Sequence, residues 1–115
     1  MTTNDKLILD TLHGMRELLA EPSRWTQKVS ARDAAGKSRD ATDPCATSFC
    51  LVGAAQRVSP QGPTGVYYGL VTKHLADTLG RRWGIGLAKY NDTHTHTEVL
   101  ALLNTAIAAL KGTTA

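Results

Sequence analysis

The densest group of reactive side chains lies at Asn91-Asp92-Thr93-His94-Thr95-His96-Thr97-Glu98, which gathers two of the four histidines, a carboxamide and two carboxylates. Histidine changes charge near neutral pH, so it can serve as base, acid or metal ligand. The matching nucleophile is Cys50, whose thiol is activated if it sits at a helix N-terminus. With His94 or His96 as base and Asn91 or Asp92 orienting the ring, these residues would form a thiol triad. The catalytic candidates are therefore Cys50, His94, His96 and Asp92. A plainer reading covers much of the same stretch. Thr95 and Glu98 have capping-box spacing, with the Thr95 hydroxyl accepting from the Glu98 amide and Glu98 reaching back to the Thr95 amide. Asp92 near the same helix end would add favourable charge, and Cys50 would be a small core residue beside Phe49 and Gly53. His94 and His96 are what this reading leaves over.

No metal is expected, because two rings in a chain turning into a helix diverge, and Cys45 and Cys50 complete a structural zinc spacing only in part. No phosphate-binding Gly-rich loop, His-Glu-x-x-His or Gly-x-Ser-x-Gly occurs, and no cofactor is expected. Cys45 and Cys50 are near enough in sequence to bridge if oxidised and are expected as free thiols in a reducing compartment. Basic residues form two modest groups, Lys28, Arg32, Lys37 and Arg39 in one and Arg81-Arg82 before Trp83 in the other. A charged ribbon beside a tryptophan suits phosphate contact and base stacking, so Trp25, Arg32, Arg81, Arg82 and Trp83 are the candidate binding residues. Asp33 and Asp40 dilute that positive field, and lysines on an exposed ribbon also guard against edge pairing.

These groups need elements to position them. Ile8, Leu12, Met15 and Leu19 repeat at helical spacing after a cap at Thr3 or Asn4, and Glu21-Pro22 ends that helix. Small Gly14 allows close packing there. From Trp25 the period changes to two, placing Trp25, Gln27, Val29 and Ala31 on one side of a strand. Asp33-Ala34-Ala35-Gly36 reads as a turn, followed by a polar return strand over residues 37–41. After Asp43-Pro44, an almost uniformly apolar stretch predicts a central helix over 46–58. A Pro/Gly loop follows at 59–65. Val66, Leu70, Val71, Leu75 and Leu79 mark a third helix stopped by Gly80, with His74 half-buried beside Leu70 and Val71. Residues 81–87 read as irregular. Val99, Leu103, Ala106 and Leu110 mark a last helix over 96–110. The expected fold is mainly α (α+β): a four-helix domain with one small antiparallel β-hairpin between helices 1 and 2, forming a single domain over 1–115.

Composition bounds the function. A chain of 115 residues can bury roughly 65% of its unfolded surface and fold without staples. With 42% apolar and 20% charged residues it has an ordinary globular composition. A net charge of +3 permits a nucleic-acid partner without demanding one. No run of about 18 apolar residues is present, and the N-terminus lacks the basic and apolar regions of a signal peptide, so the expectation is a cytoplasmic protein with no membrane partner.

Several landmarks fall in a recurring order: Trp25-Thr26-Gln27, Ala31-Arg32-Asp33-Ala34-Ala35-Gly36, Phe49-Cys50-Leu51-Val52-Gly53-Ala54, Asn91-Asp92 and Thr97-Glu98-Val99-Leu100-Ala101-Leu102-Leu103. Together they resemble a family of short, uncharacterised proteins from actinobacteria and their phages, classed as a domain of unknown function. The chain departs from that pattern at Ala35, where the family usually has Asp, and at Tyr90, where it favours Trp. The resemblance spans most of the chain and implies a compact, mainly helical domain and a phage or mobile-element origin. It brings no activity and transfers no catalytic residue. The expected function is a non-catalytic protein-interaction or accessory module whose partner is another protein, a host protein if the chain is phage-encoded. The alternatives are a thiol-dependent hydrolase or transferase using Cys50 with His94 or His96, and a weak nucleic-acid binder working through the basic hairpin.

Overall fold

The computed structural model describes residues 2–80 and 86–112. Within them the chain forms five α-helices and a three-stranded sheet: α1 (Thr3–Leu18), β1 (Ala31–Asp33), β2 (Ser38–Arg39), β3 (Ala46–Phe49), α2 (Leu51–Val58), α3 (Val66–Thr78), α4 (Leu87–Thr93) and α5 (His96–Gly112). Short 3₁₀ turns occur at Pro22–Arg24 and Gly62–Thr64.

α1 begins one residue earlier than expected. Thr2 is its cap, the Thr2 hydroxyl accepting from the Asp5 amide in a reciprocal capping box with Asp5. The apolar stripe then buries Ile8, Leu12 and Met15 within the helix and Leu19 just beyond it. α5 runs alongside α1 and α3, α2 packs on α1, and these helices share one hydrophobic core centred on Leu12, Met15, Leu51, Leu75, Val99 and Leu103. The two expected helical stripes on α3 and α5 are present, with Val71 and Leu75 buried on one and Val99, Leu103, Ala106 and Leu110 on the other.

Three expectations need correction. The central helix does not start at Ala46. Residues Ala46–Phe49 form β3, which pairs antiparallel with β1 at Ala31↔Phe49 and Arg32↔Ser48, so that the sheet order is β2-β1-β3. Thr47 and Phe49 favour a pleated surface, and only Ala46 and Phe49 of the strand are buried, which is not the uniform burial of a central helix. The hairpin between α1 and α2 therefore gains a third strand. Its return strand is shorter than predicted, pairing only Ser38 and Arg39 with β1.

The second correction concerns residues 25–30. They do not run as a ladder strand: apart from a single bridge from Trp25 to Phe49, they bend, and Lys28 adopts a left-handed φ of 77°. Side chains from α4 take the backbone groups that a neighbouring strand would have taken. The third correction is α4 itself, a fifth helix. It buries only Leu87 and the polar Asn91, one turn apart, so no apolar period announced it. One geometric consequence of β3 is that Cys45 and Cys50 flank an extended segment. Their Cα atoms are about 16 Å apart at ordinary strand rise, beyond the reach of a disulfide, and both thiols are free.

Gly53 is where helix and sheet meet most closely. A Cβ there would lie 2.0 Å from the Ser30 carbonyl oxygen. The close approach lets the Cys50 amide donate to that same oxygen at 3.0 Å. Gly14 is different: a Cβ would make only ordinary contact with Val58, at 3.6 Å.

Candidate functional site

Asn91, fully buried in the last turns of α4, is the hub of the corner. Its Oδ1 accepts from the Trp25 indole N–H at 2.7 Å and from the Leu51 amide at 2.9 Å. Its Nδ2 donates to the Thr26 carbonyl at 3.0 Å and toward Asp92 Oδ1 at 3.3 Å. Leu51 is the first residue of α2, so its amide is one of the donors that a helix start leaves without an intrahelical partner. Asn91 thus caps a helix forty residues earlier in the chain and fastens the Trp25 loop to it. Asp92 completes the fastening, its Oδ1 accepting from the Lys28 amide at 2.8 Å. That bond holds Lys28 in its left-handed conformation.

Gln27 and the histidines serve the other helix ends. Gln27 Nε2 donates to the carbonyls of Asn91 and His94, at 3.0 and 3.1 Å. His94 is the C-cap of α4, its ring stacks on Tyr90 at 3.7 Å, and its Nδ1 lies 2.8 Å from the Tyr90 carbonyl. His96 Nε2 lies 2.6 Å from the carbonyl of Leu19, the C-cap of α1. A carbonyl only accepts, so His94 Nδ1 and His96 Nε2 carry the protons. Each histidine therefore satisfies an orphan carbonyl at a helix C-terminus, a favourable position for an imidazole. Thr95 and Glu98 form the expected box, with the Thr95 amide donating to Glu98 Oε1 at 2.9 Å and the Glu98 amide donating to the Thr95 hydroxyl at 3.2 Å. The Thr95 amide, and after it the Thr95 hydroxyl donating to Glu98 Oε1 at 3.1 Å, hold the Glu98 carboxyl below its ordinary pKa.

Cys50 sits between β3 and α2 as the N-cap of α2, its sulfur accepting from the Gly53 amide at 3.2 Å. A helix N-terminus favours thiolate, yet burial opposes it more strongly, and the thiol pKa is pushed up, with the Asp92 charge adding to the rise. Among the described residues no hydrogen bond joins Cys50 Sγ to His94 or His96. Asp92 likewise faces the Lys28 amide and the Asn91 carboxamide rather than an imidazole. Four catalytic candidates are thus brought to one region, but each makes its hydrogen bonds to backbone, to Asn91 or, for His94, also to the Thr93 hydroxyl. No group of three or more His, Cys, Asp or Glu side chains is placed to hold a metal among the described residues.

The binding candidates divide in the same manner. Trp25 is half-buried, with its N–H on Asn91 and its ring 5.8 Å from that of His96. Arg32 directs its guanidinium inward, Nε to the Thr26 hydroxyl at 2.8 Å and the other nitrogens to the carbonyls of Gly36 and Gln27. Arg39 pairs with Asp33 at 2.9 Å and Asp43 at 3.8 Å, and the Lys37 amide, followed by the Arg39–Asp33 contact, lowers the Asp33 pKa. Of the ribbon cations, Lys28 and Lys37 remain exposed without a carboxylate partner among the described residues. Arg81, Arg82 and Trp83 lie outside the described residues. Sequence reasoning gave no role to Tyr90, noted only as a departure from the family pattern, which stacks on His94, and did not single out Arg24 and Arg57, which line one groove; no spacing in the chain links the two arginines.

The landmark residues Trp25-Thr26-Gln27, Asn91-Asp92 and Gly53 are therefore one clasp, with a role in holding the fold at every position. Neither a curated protein nor a solved structure matches the chain. No helix among the described residues is long and apolar enough to cross a membrane. A family model covers residues 3–109, nearly the whole clasped unit, and the chain belongs to that family, the family of unknown function DUF6197.

Proposed function

We propose that this protein is a non-catalytic interaction or accessory module working in the cytoplasm on another protein. The observation that carries the reading is the clasp: Asn91, Asp92, His94 and His96 all serve the backbone of helix ends or of the Trp25 loop. A general base must reach the proton that it removes, and the ring protons here are held by carbonyls. A nucleophilic thiol needs a lowered pKa, whereas burial drives that of Cys50 upward. The surface left for function is then the exposed faces of the helices and ribbon. The phage or mobile-element origin implied by the resemblance would make the partner a host protein.

The test is quantitative capture from a host lysate at physiological salt, comparing wild type, Cys50→Ala and the His94→Ala/His96→Ala pair, each checked for folding by circular dichroism. The proposal expects a stoichiometric partner that folded Cys50→Ala retains in full. Turnover of a thioester or amide substrate by wild type, abolished in Cys50→Ala while the fold is intact, would overturn it.

A further inference from the structure

A shallow groove lies where the 3₁₀ turn Pro22–Arg24 packs against β3, and it is lined by Arg24 and Arg57 together with Ser23, Thr47 and Phe49. We propose that this groove binds a phosphate monoester. It has two guanidinium groups and two hydroxyls, and none of its lining residues is a carboxylate. Arg39 and Lys73 form the ion pairs found among the described residues, so neither groove arginine has an acidic partner there.

Arg57 is already fixed in position. Its Nη1 donates to the carbonyls of Ala41 and Asp43, at 3.0 and 2.8 Å, and its guanidinium carbon stands 5.5 Å from the centre of the Phe49 ring. Those contacts account for one nitrogen. Nε and Nη2 make no hydrogen bond among the described residues, so a planar edge with two donors is held ready. Pre-organised donors cost less entropy on binding, and an arginine fork matches the spacing of phosphate oxygens. Arg24 enters from the neighbouring turn, and its guanidinium makes no hydrogen bond or ion pair among the described residues.

Charge around the groove favours one compact dianion over a polyanion. Arg39 on the ribbon is neutralised by Asp33 and Asp43, and Lys28, Arg32 and Lys37 do not line the groove, so its two arginines make a local pair rather than the track along the surface that a nucleic-acid backbone would need. A cavity of about 420 Å³ accommodates the group that carries the phosphate. That group belongs either to a small metabolite or to a phosphorylated side chain, and both offer the same three oxygens.

The experiment is an amide-resolved NMR titration of the intact chain at constant ionic strength, with inorganic phosphate, a phosphoserine dipeptide and a nucleoside monophosphate as separate probes. Saturable shifts at the amides of Ser23, Thr47 and Phe49 are expected, with Kd on the order of 1 mM for inorganic phosphate. Tighter binding of one ester identifies the source. Arg24→Gln, which removes no side-chain hydrogen bond or ion pair found among the described residues, should weaken binding about tenfold. Arg57→Lys keeps the charge and loses the fork, and it should weaken binding as well. Arg16→Gln, on the exposed face of α1, should leave it unchanged. Absence of saturation, binding indifferent to Arg24→Gln, an equal loss in Arg16→Gln, or an unphosphorylated oligonucleotide competing better than the esters would overturn the proposal.

Discussion

Replacing Asn91 by alanine should cost about 3–5 kcal/mol, since an abandoned buried polar group costs about 1–3 kcal/mol. The deletion strands the Leu51 amide and the Thr26 carbonyl, both bonded to Asn91 in the intact protein. The Trp25 indole N–H loses its acceptor too, but Trp25 is half-buried and can turn to water, so it adds less. In urea the midpoint should fall by about 2–4 M with the slope unchanged. Asn91→Asp sharpens the test because it is nearly isosteric. It keeps an acceptor for Leu51 and Trp25 but points an anion at the Thr26 carbonyl and the Asp92 carboxylate. It should be as damaging as alanine at neutral pH. The deficit should narrow as pH falls through the raised pKa of the new carboxyl, whose protonated form can donate to Thr26. Equilibrium unfolding followed by far-ultraviolet circular dichroism measures both. A loss below about 1 kcal/mol for Asn91→Ala would refute the clasp reasoning.

Gly53→Ala should destabilise by about 3 kcal/mol or more, because its methyl group would collide with the Ser30 carbonyl oxygen, whereas Gly14→Ala meets only ordinary contacts with Val58 and should stabilise by about 0.5–1 kcal/mol through helix propensity; thermal melts of the two variants should move in opposite directions. Lys28→Gly should raise stability by about 1 kcal/mol by relieving the positive φ, and a decrease in the melting temperature would count against that strain. The Glu98 and Asp33 carboxyls have folded pKa values below their ordinary ones. The stability they contribute is therefore complete above the unfolded carboxylate values near about 4 and is lost as pH falls through the lowered folded values. In an NMR titration Thr95→Ala, which keeps the amide donor to Glu98 and removes only the hydroxyl donor, should return Glu98 part of the way toward its ordinary value, and an unmoved Glu98 would show that the hydroxyl contributes nothing.

The helical scaffold was legible in the sequence because its signals are periodic and local. The stripes of α1, α3 and α5, and the Thr95–Glu98 box, depend on residues a turn apart. What escaped notice depends on distant partners. Ala46–Phe49 became β3 because β1 supplies its ladder, although the stretch reads as the apolar start of a helix. α4 was silent because its inward face consists of Leu87 and a polar Asn91. The roles of His94 and His96 were invisible for a related reason: the groups they satisfy are backbone carbonyls, which no side-chain motif records. The His96 acceptor is at the far end of α1. Cys50 looked reactive from its place at a helix start, and only burial shows that the helix effect is outweighed.

The most direct test of the proposal that this corner holds the fold rather than catalysing a reaction is the pH dependence of iodoacetamide labelling at each cysteine of the native protein, read by mass spectrometry. Exposed Cys45 and buried Cys50 should separate sharply. The account predicts that Cys45 labels readily near neutral pH, and that Cys50 labels only as the thiol is forced to ionise at high pH or as the protein unfolds. Rapid labelling of Cys50 near pH 7 that slows in the His94→Ala/His96→Ala protein would contradict it.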